Sequence, residues 1–229
     1  MSTGAAEVRA ALLAEASEDQ RDKIRRRIPD PAMRVIGVRM GTLFDIAKAN
    51  TRMPLADVDV LLSSDTYEER MVAVSVLDFK TRVRGLTDDG RRELYDLWMS
   101  RLDLIDTWDY IDRSAPRVVG WYLLDKPRDA LFTLARSDDW WRRRAAITAA
   151  FWIIRAGDLD DPIALCEILA ADPEHLVQTN VGVALREIGR VDRARLEVFL
   201  DRRGTDLSAD ARRTARTARR CTTCGCGAS

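Results

Sequence analysis

Apolar residues recur every three or four positions along most of the chain, a spacing that favours amphipathic α-helices. Runs in which apolar and polar residues alternate, as they do in many β-strands, are nearly absent. Proline, glycine and aspartate divide the helical pattern into short segments. The predicted helices span residues 5–27, 38–50, 55–62, 66–82, 88–99, 103–112, 116–124, 127–136, 139–155, 161–170, 174–188, 192–200 and 208–219.

The predicted helices form pairs about every 35 to 45 residues, the period of HEAT-type helical repeats. We therefore predict an all-α fold, a HEAT-like helical-repeat solenoid in which antiparallel helix pairs form a curved right-handed stack. Its concave face would offer a surface to a nucleic-acid duplex or to another protein. We predict a single domain over residues 1–220 and a disordered Cys/Gly-containing tail over residues 221–229.

Composition and charge limit the class of protein. The chain has 229 residues, 32% of them charged, and it lacks a long apolar run, so we expect a cytoplasmic protein that is not in a membrane. A formal net charge of zero does not indicate a nucleic-acid binder. However, only four of the 37 basic residues are lysine, and arginines cluster at 25–27, 142–144 and 212–220. GC-rich coding explains such a bias, but local basic surfaces can also bind phosphate.

The four cysteines do not indicate a metal site. Cys166 lies in an apolar helical segment, and the other three are in the last nine residues. Structural zinc requires four ligands, and His175 is the only histidine of the chain. We predict neither a metal nor another cofactor.

The segment 106–112 carries the most informative pair of residues. Trp108 and Asp112 are four positions apart, so they share one face of a helix. If this face is solvated, the ring can hold a sugar or a base while the carboxylate faces a developing cation. Alternatively, Trp108 fills the core and Asp112 ends a helical turn.

Several segments are distinctive in combination. They are RVIGVRM (34–40), LFDIAK (43–48), IDTWDYID (105–112), WRRRAAI (141–147) and ALREIG (184–189). Together they resemble the AlkD-like DNA alkylation repair proteins, and the resemblance covers about residues 30–205.

The resemblance implies hydrolysis of the N-glycosidic bond of cationic alkylated purines, of the 3-methyladenine and 7-methylguanine type, in duplex DNA without base flipping. By this resemblance Asp112 is the catalytic carboxylate, Trp108 packs on the deoxyribose of the lesion, and Arg144 is an active-site arginine. The further DNA-contact candidates are Trp141, Val183 and Arg186, together with Arg39 and Arg143, for which a solvated surface position is an equal alternative. The implied partner is duplex DNA that carries alkylated purines, bound by a monomer.

One position departs from the family pattern. The late motif of the family reads Gly-Trp-x-Leu-Arg-Glu, whereas Val183 stands at the tryptophan position here. This departure keeps open a non-catalytic protein that binds distorted duplexes, and the repeat architecture keeps open a protein-interaction scaffold. Glu68 and Arg70 are expected to form ion pairs between helices.

Overall fold

The computed structural model describes residues 4–28 and 30–218, so the predicted tail and its cysteines lie outside the described residues. Thirteen α-helices form the described part of the chain. They are α1 (Ala5–Ala14), α2 (Glu18–Arg25), α3 (Met40–Ala49), α4 (Leu55–Leu62), α5 (Tyr67–Thr81), α6 (Asp88–Ser100), α7 (Trp108–Ala115), α8 (Asp129–Ala135), α9 (Trp140–Arg155), α10 (Asp160–Leu169), α11 (His175–Val191), α12 (Arg193–Arg203) and α13 (Ala209–Arg216).

The prediction of an all-α protein is confirmed. Among residues 4–28 and 30–218 no β-strand occurs, and the one β pairing there is an isolated bridge between Arg34 and Thr66. The described helices fall into two compact units, α1 to α7 in the first and α8 to α13 in the second, divided between residues 122 and 123. The HEAT-like arrangement and the single domain over residues 1–220 stay predictions.

The first predicted helix, over residues 5–27, is wrong in extent, because the structure has two helices here, α1 and α2, with a break between them. At this break the amide of Ser17 donates to the carbonyl of Gly37 at 2.9 Å. Gly37 has a φ of +93°, and a Cβ at this position would lie 2.1 Å from the Ser17 carbonyl oxygen. Only glycine permits both this backbone conformation and this close approach.

The helix predicted over residues 103–112 is displaced toward the C-terminus. A 3-10 turn occupies Leu102–Leu104, and α7 begins only at Trp108. The next predicted helix, 116–124, is instead a π-helical turn (Pro116–Gly120) and a 3-10 turn (Tyr122–Asp125). Because Pro116 has no amide hydrogen, it cannot continue the hydrogen bonds of α7, and the chain widens at this proline.

Helix α5 is the centre of the first unit. Helices α3, α4, α6 and α7 pack against it, and α1 packs against α3, α4 and α5. Met71, Val74 and Leu77 of α5 are at most 1% exposed. Burial of this helix on several sides fixes the place at which α7 can attach.

In the second unit α11 packs against α9 and α13. Helices α8 and α10 pack against α9, and α10 and α12 pack against α11. Gly182 permits the close contact between α11 and α13, because a Cβ there would lie 2.8 Å from the Ala211 Cα. The Gln178 side chain donates to the carbonyls of Leu169 and Ala170 at 3.1 and 2.7 Å and accepts from the Ser208 amide at 3.1 Å. Helix α11 is therefore tied to the end of α10 and to the start of α13.

Candidate functional site

The first turn of α7 is held by Asp109. Its carboxylate accepts hydrogen bonds from the Tyr67 hydroxyl, from the Thr107 hydroxyl at 2.5 Å and from the Tyr110 amide at 3.1 Å. The Tyr110 hydroxyl donates in turn to the Tyr67 carbonyl at 2.8 Å, and the two rings stack with centroids 5.3 Å apart. These contacts fix the start of α7 on the start of α5.

Burial keeps both phenols protonated. It raises the pKa of Tyr67 far above its usual value, and the nearby negative charge of Asp109 raises that pKa further. Burial likewise raises the pKa of Tyr110. Tyr67 therefore remains a hydrogen-bond donor to Asp109 throughout the physiological pH range.

The inner side of α7 is buried and hydrogen-bonded. Ile111 and Ala115 are fully buried, and Ser114 accepts a hydrogen bond from the Trp98 indole at 2.8 Å. The Ser114 hydroxyl then donates to the Tyr110 carbonyl at 2.8 Å. Because both ends of the inner side are fixed, the outer side of α7 has a defined orientation.

The outer side of α7 carries Trp108 and Asp112. Trp108 is 39% exposed, so the interpretation that it fills the core is wrong. Asp112, one turn later, is half-buried. Trp108 and Asp112 therefore lie one turn apart on the same side of α7.

Arg39 precedes α3 and is exposed. The loop before it is held by Glu68, whose carboxylate accepts from the amides of Ile36, Gly37 and Val38 at 3.1, 2.8 and 3.4 Å. The expectation that Glu68 forms an ion pair between helices is therefore wrong, since a buried carboxylate is satisfied here by backbone amides.

Arg70 forms an ion pair, but its partner lies in a loop and not, as expected, on another helix. Its guanidinium lies 3.8 Å from the Asp106 carboxylate, in the segment that leads into α7. Burial raises the pKa of Asp106, and the charge of Arg70 opposes this shift.

In the second unit Arg143 is occupied by structural contacts. Its guanidinium forms a two-point ion pair with the Asp172 carboxylate, at 2.6 and 3.1 Å. It also donates to the carbonyls of Ser137 and Asp138 at 3.0 and 2.8 Å. Arg143 therefore links the start of α9 to the turn before α11.

Arg144 is 3% exposed and donates to the carbonyl of Leu176. Its own carbonyl accepts from the Thr148 hydroxyl at 2.7 Å, and Asn180 donates to that hydroxyl at 2.7 Å. Trp141, one turn before Arg144, is half-buried. In the described part of the chain the Trp141 indole nitrogen is buried and has no hydrogen-bond partner.

Val183 and Arg186 lie one turn apart on α11, and both are half-buried. The Arg186 guanidinium contacts the Glu187 carboxylate at 3.0 Å. Trp141, Arg143 and Arg144 start α9, and α9 packs directly against α11. The predicted residues therefore form one pair on α7 and a second group on α9 and α11, with Arg39 near α3.

A further group was missed at the level of sequence. Asp78 on α5 is 1% exposed and contacts the guanidinium groups of Arg82, Arg113 and Arg117. The spacing contained a signal, because residues 78 and 82 and residues 113 and 117 are each four positions apart. It did not reveal that α5 and α7 bring the two pairs together.

Among residues 4–28 and 30–218, no group of three histidine, cysteine, aspartate or glutamate side chains could hold a metal ion. None of the described helices combines the length and apolar character that crossing a membrane requires.

Comparisons with known proteins identify the family to which the chain belongs. No curated protein matches the chain in sequence. A family model described as DNA alkylation repair enzyme matches residues 8–219, which is most of the chain and includes α7, α9 and α11. The chain therefore belongs to the DNA alkylation repair enzyme family.

Proposed function

We propose that this member of a DNA repair family is a DNA glycosylase. It hydrolyses the N-glycosidic bond of cationic alkylated purines, of the 3-methyladenine and 7-methylguanine type, in duplex DNA and without base flipping. The observation that carries the proposal is the pairing of an exposed Trp108 with Asp112 on the outer side of a firmly anchored α7.

The chemistry suits one carboxylate and one aromatic ring. A purine alkylated at N3 or N7 carries a positive charge, so it leaves without a general acid. As the C1′–N bond breaks, its electron pair neutralises the base and positive charge grows on the sugar. Asp112 stabilises this charge and orients the water that adds to C1′, while the water proton passes to solvent.

Trp108 supplies the second interaction. The face of an indole ring attracts a nearby cation, and it offers a flat surface on which deoxyribose can pack. A ring presented on the surface of a helix can contact a nucleotide that remains in the duplex, so the proposal needs no base pocket. Anchoring of α7 through Asp109 and Ser114 keeps the ring and the carboxylate in one geometry.

The remaining predicted residues have different roles in the proposed function. The exposed Arg39 and the half-buried Arg186 are proposed phosphate contacts. Arg144 is 3% exposed and donates to the Leu176 carbonyl, so its active-site role rests on the family resemblance alone. The half-buried Trp141 and Val183 stay DNA-contact candidates. Arg143 is occupied by Asp172 and two carbonyls, so we assign it to stability rather than to DNA contact.

Base release from two duplexes tests the proposal. Purified protein is incubated with a duplex that contains 7-methylguanine and with an otherwise identical duplex that contains uracil. We expect release of 7-methylguanine and no release of uracil, because one carboxylate and one ring cannot expel an uncharged base. No release from either duplex, or equal release from both, would contradict the proposal.

Val183 supports a second candidate function. In this alternative the protein recognises distorted duplexes without cutting the glycosidic bond, because the aromatic residue of the family motif is missing on α11. DNA binding that weakens steeply with salt, together with no base release from any alkylated duplex, would favour this alternative.

A further inference from the structure

The arginine cluster is a second charged feature of the first unit, made of Asp78, Arg82, Arg113 and Arg117. Asp78 belongs to α5 and Arg82 follows that helix. The Arg113 guanidinium lies 2.9 Å from the Asp78 carboxylate and Arg117 lies 3.4 Å from it, while Arg82 forms the third ion pair. One buried carboxylate thus holds three guanidinium groups from two parts of the chain.

The cluster carries an excess of positive charge. Three guanidinium groups face one carboxylate, so positive charges exceed negative ones by two among these four side chains. Burial raises the pKa of Asp78, and the neighbouring arginines oppose this shift. Any protonation of Asp78 would increase the excess, because arginine stays charged at all physiological pH values.

Two aromatic rings fix the innermost arginine. The Arg113 guanidinium carbon lies 4.5 Å from the centre of the Phe44 ring and 4.7 Å from that of Phe79. Its Nε also donates to the Ser75 hydroxyl at 3.1 Å. Arg113 is therefore held in place, and its side chain is only 17% exposed.

The other two arginines reach the solvent. The Arg82 side chain is 41% exposed and the Arg117 side chain is 31% exposed, whereas Asp78 is 1% exposed. The carboxylate that gathers the arginines is hidden, and guanidinium groups form the accessible part of the cluster. The solvent-accessible side chains of the cluster are therefore the two arginines and not Asp78.

The cluster adjoins the outer side of α7. Arg113 directly follows Asp112, and Arg117 lies four residues after Arg113 in the π-helical turn that continues α7. Successive residues of a helix are about 100° apart, so the arginine side of α7 is next to the side that carries Trp108 and Asp112.

We propose that the arginine cluster binds a phosphodiester group of the DNA backbone, near the nucleotide that contacts Trp108 and Asp112. Guanidinium groups bind phosphate oxygens at two points and fix the register of a DNA strand. The position of this phosphate relative to the lesion rests on the proposed function. The binding of a phosphate by these arginines has a test of its own.

The test measures equilibrium binding of a fluorescein-labelled duplex by anisotropy, over a series of salt concentrations. The variants are Arg82→Gln, Arg117→Gln and Arg117→Lys, and the control is Arg92→Gln, an exposed arginine of α6 that pairs with Asp89. Thermal unfolding of each variant checks that it folds. A parallel measurement records the shift in unfolding temperature that inorganic phosphate causes at constant ionic strength.

We expect each glutamine variant to bind DNA about three- to tenfold more weakly at low salt and to lower the salt slope by about 0.9, the value for one lost phosphate contact. Arg117→Lys should keep the slope, because the charge is retained, and Arg92→Gln should bind like the unchanged protein. Unchanged affinity and slope in both glutamine variants would overturn the proposal. A lost response to inorganic phosphate with unchanged DNA binding would also overturn it, in favour of a free-phosphate site.

The result of this DNA-binding test can be distinguished from the result of the base-release test of the proposed glycosylase. Weaker and less salt-dependent DNA binding by the variants supports the phosphate site even if no base is released. Base release by the unchanged protein, with DNA binding indifferent to Arg82 and Arg117, rejects the phosphate site alone.

Discussion

The first turns of α7 and α9 look alike in sequence and differ in structure. Each has a tryptophan followed closely by charged residues: Trp108 with Asp109 and Asp112 in α7, and Trp141 with Arg143 and Arg144 in α9. In α7 the ring is 39% exposed, whereas in α9 Trp141 is half-buried and Arg144 is 3% exposed.

The difference lies in which charge anchors the helix. Asp109 binds Tyr67 and Thr107, which leaves the side of α7 with Trp108 and Asp112 turned outward. In α9 Arg143 is the anchor, through Asp172. An aromatic residue and a charge at helical spacing therefore do not identify a site by themselves; the partner of each charge in the fold decides its role.

The largest expected effect on the free energy of unfolding comes from removing Arg143, the anchor of α9. Replacing Arg143 with alanine leaves the Asp172 carboxylate, 3% exposed, without its two-point partner. We expect the free energy of unfolding to fall by about 3 kcal/mol, measured by urea denaturation. Arg142→Ala is the control and should cost less than about 1 kcal/mol, because Arg142 is more exposed. Equal costs would mean that Arg143 is not the anchor.

The corresponding anchor of α7 is tested by Tyr67→Phe. The variant keeps the ring but removes the hydroxyl that donates to Asp109, so we expect a loss of about 1–3 kcal/mol in the free energy of unfolding. Tyr95→Phe is a control on the half-buried Tyr95, with an expected change below about 0.5 kcal/mol. If both variants unfold alike, Asp109 does not anchor α7 through Tyr67.

The stability that Tyr67 and Tyr110 contribute at the anchor of α7 should fall at alkaline pH. Tyr67 and Tyr110 have raised pKa values in the fold, whereas an unfolded tyrosine ionises near pH 10. Above about pH 10 the folded protein therefore binds more protons than the unfolded chain, and stability falls by about 1.4 kcal/mol per pH unit for each phenol. Denaturation between pH 8 and 11 measures this slope. Tyr67→Phe should have a smaller slope, and an unchanged slope would contradict the assignment.

The smallest expected effect on stability is on the outer side of α7. Trp108→Phe keeps an aromatic ring at an exposed position, so the free energy of unfolding should change by less than about 1 kcal/mol. We expect slower release of 7-methylguanine, because the smaller ring offers less surface to the sugar and attracts a cation less strongly. Large destabilisation with unchanged base release would show that Trp108 is a packing residue after all.

Periodicity was sufficient to predict the fold class but not the breaks in the helices. The spacing of apolar residues predicted α5 and α9 within a few residues. It did not predict the break at Ser17, which depends on a contact with Gly37, nor the start of α7 at Trp108. Such breaks depend on contacts between segments that are distant in sequence.

The candidate site was predictable only in part. Trp108 and Asp112 follow from one spacing on one helix, so the sequence was enough to pair them. The role of Arg143 depends on Asp172, which is 29 residues away, and the arginine cluster depends on the packing of α7 on α5. Neither relation has a local signature.

The central claim concerns the Asp112 carboxylate, and a single-turnover rate tests it most directly. Release of 7-methylguanine from duplex DNA is compared for the unchanged protein, for Asp112→Asn and for Asp89→Asn, a control at an exposed aspartate of α6. The account predicts that Asp112→Asn is slower by about 100-fold or more at saturating protein, and that Asp89→Asn is unaffected. Equal rates for Asp112→Asn and the unchanged protein would contradict the account.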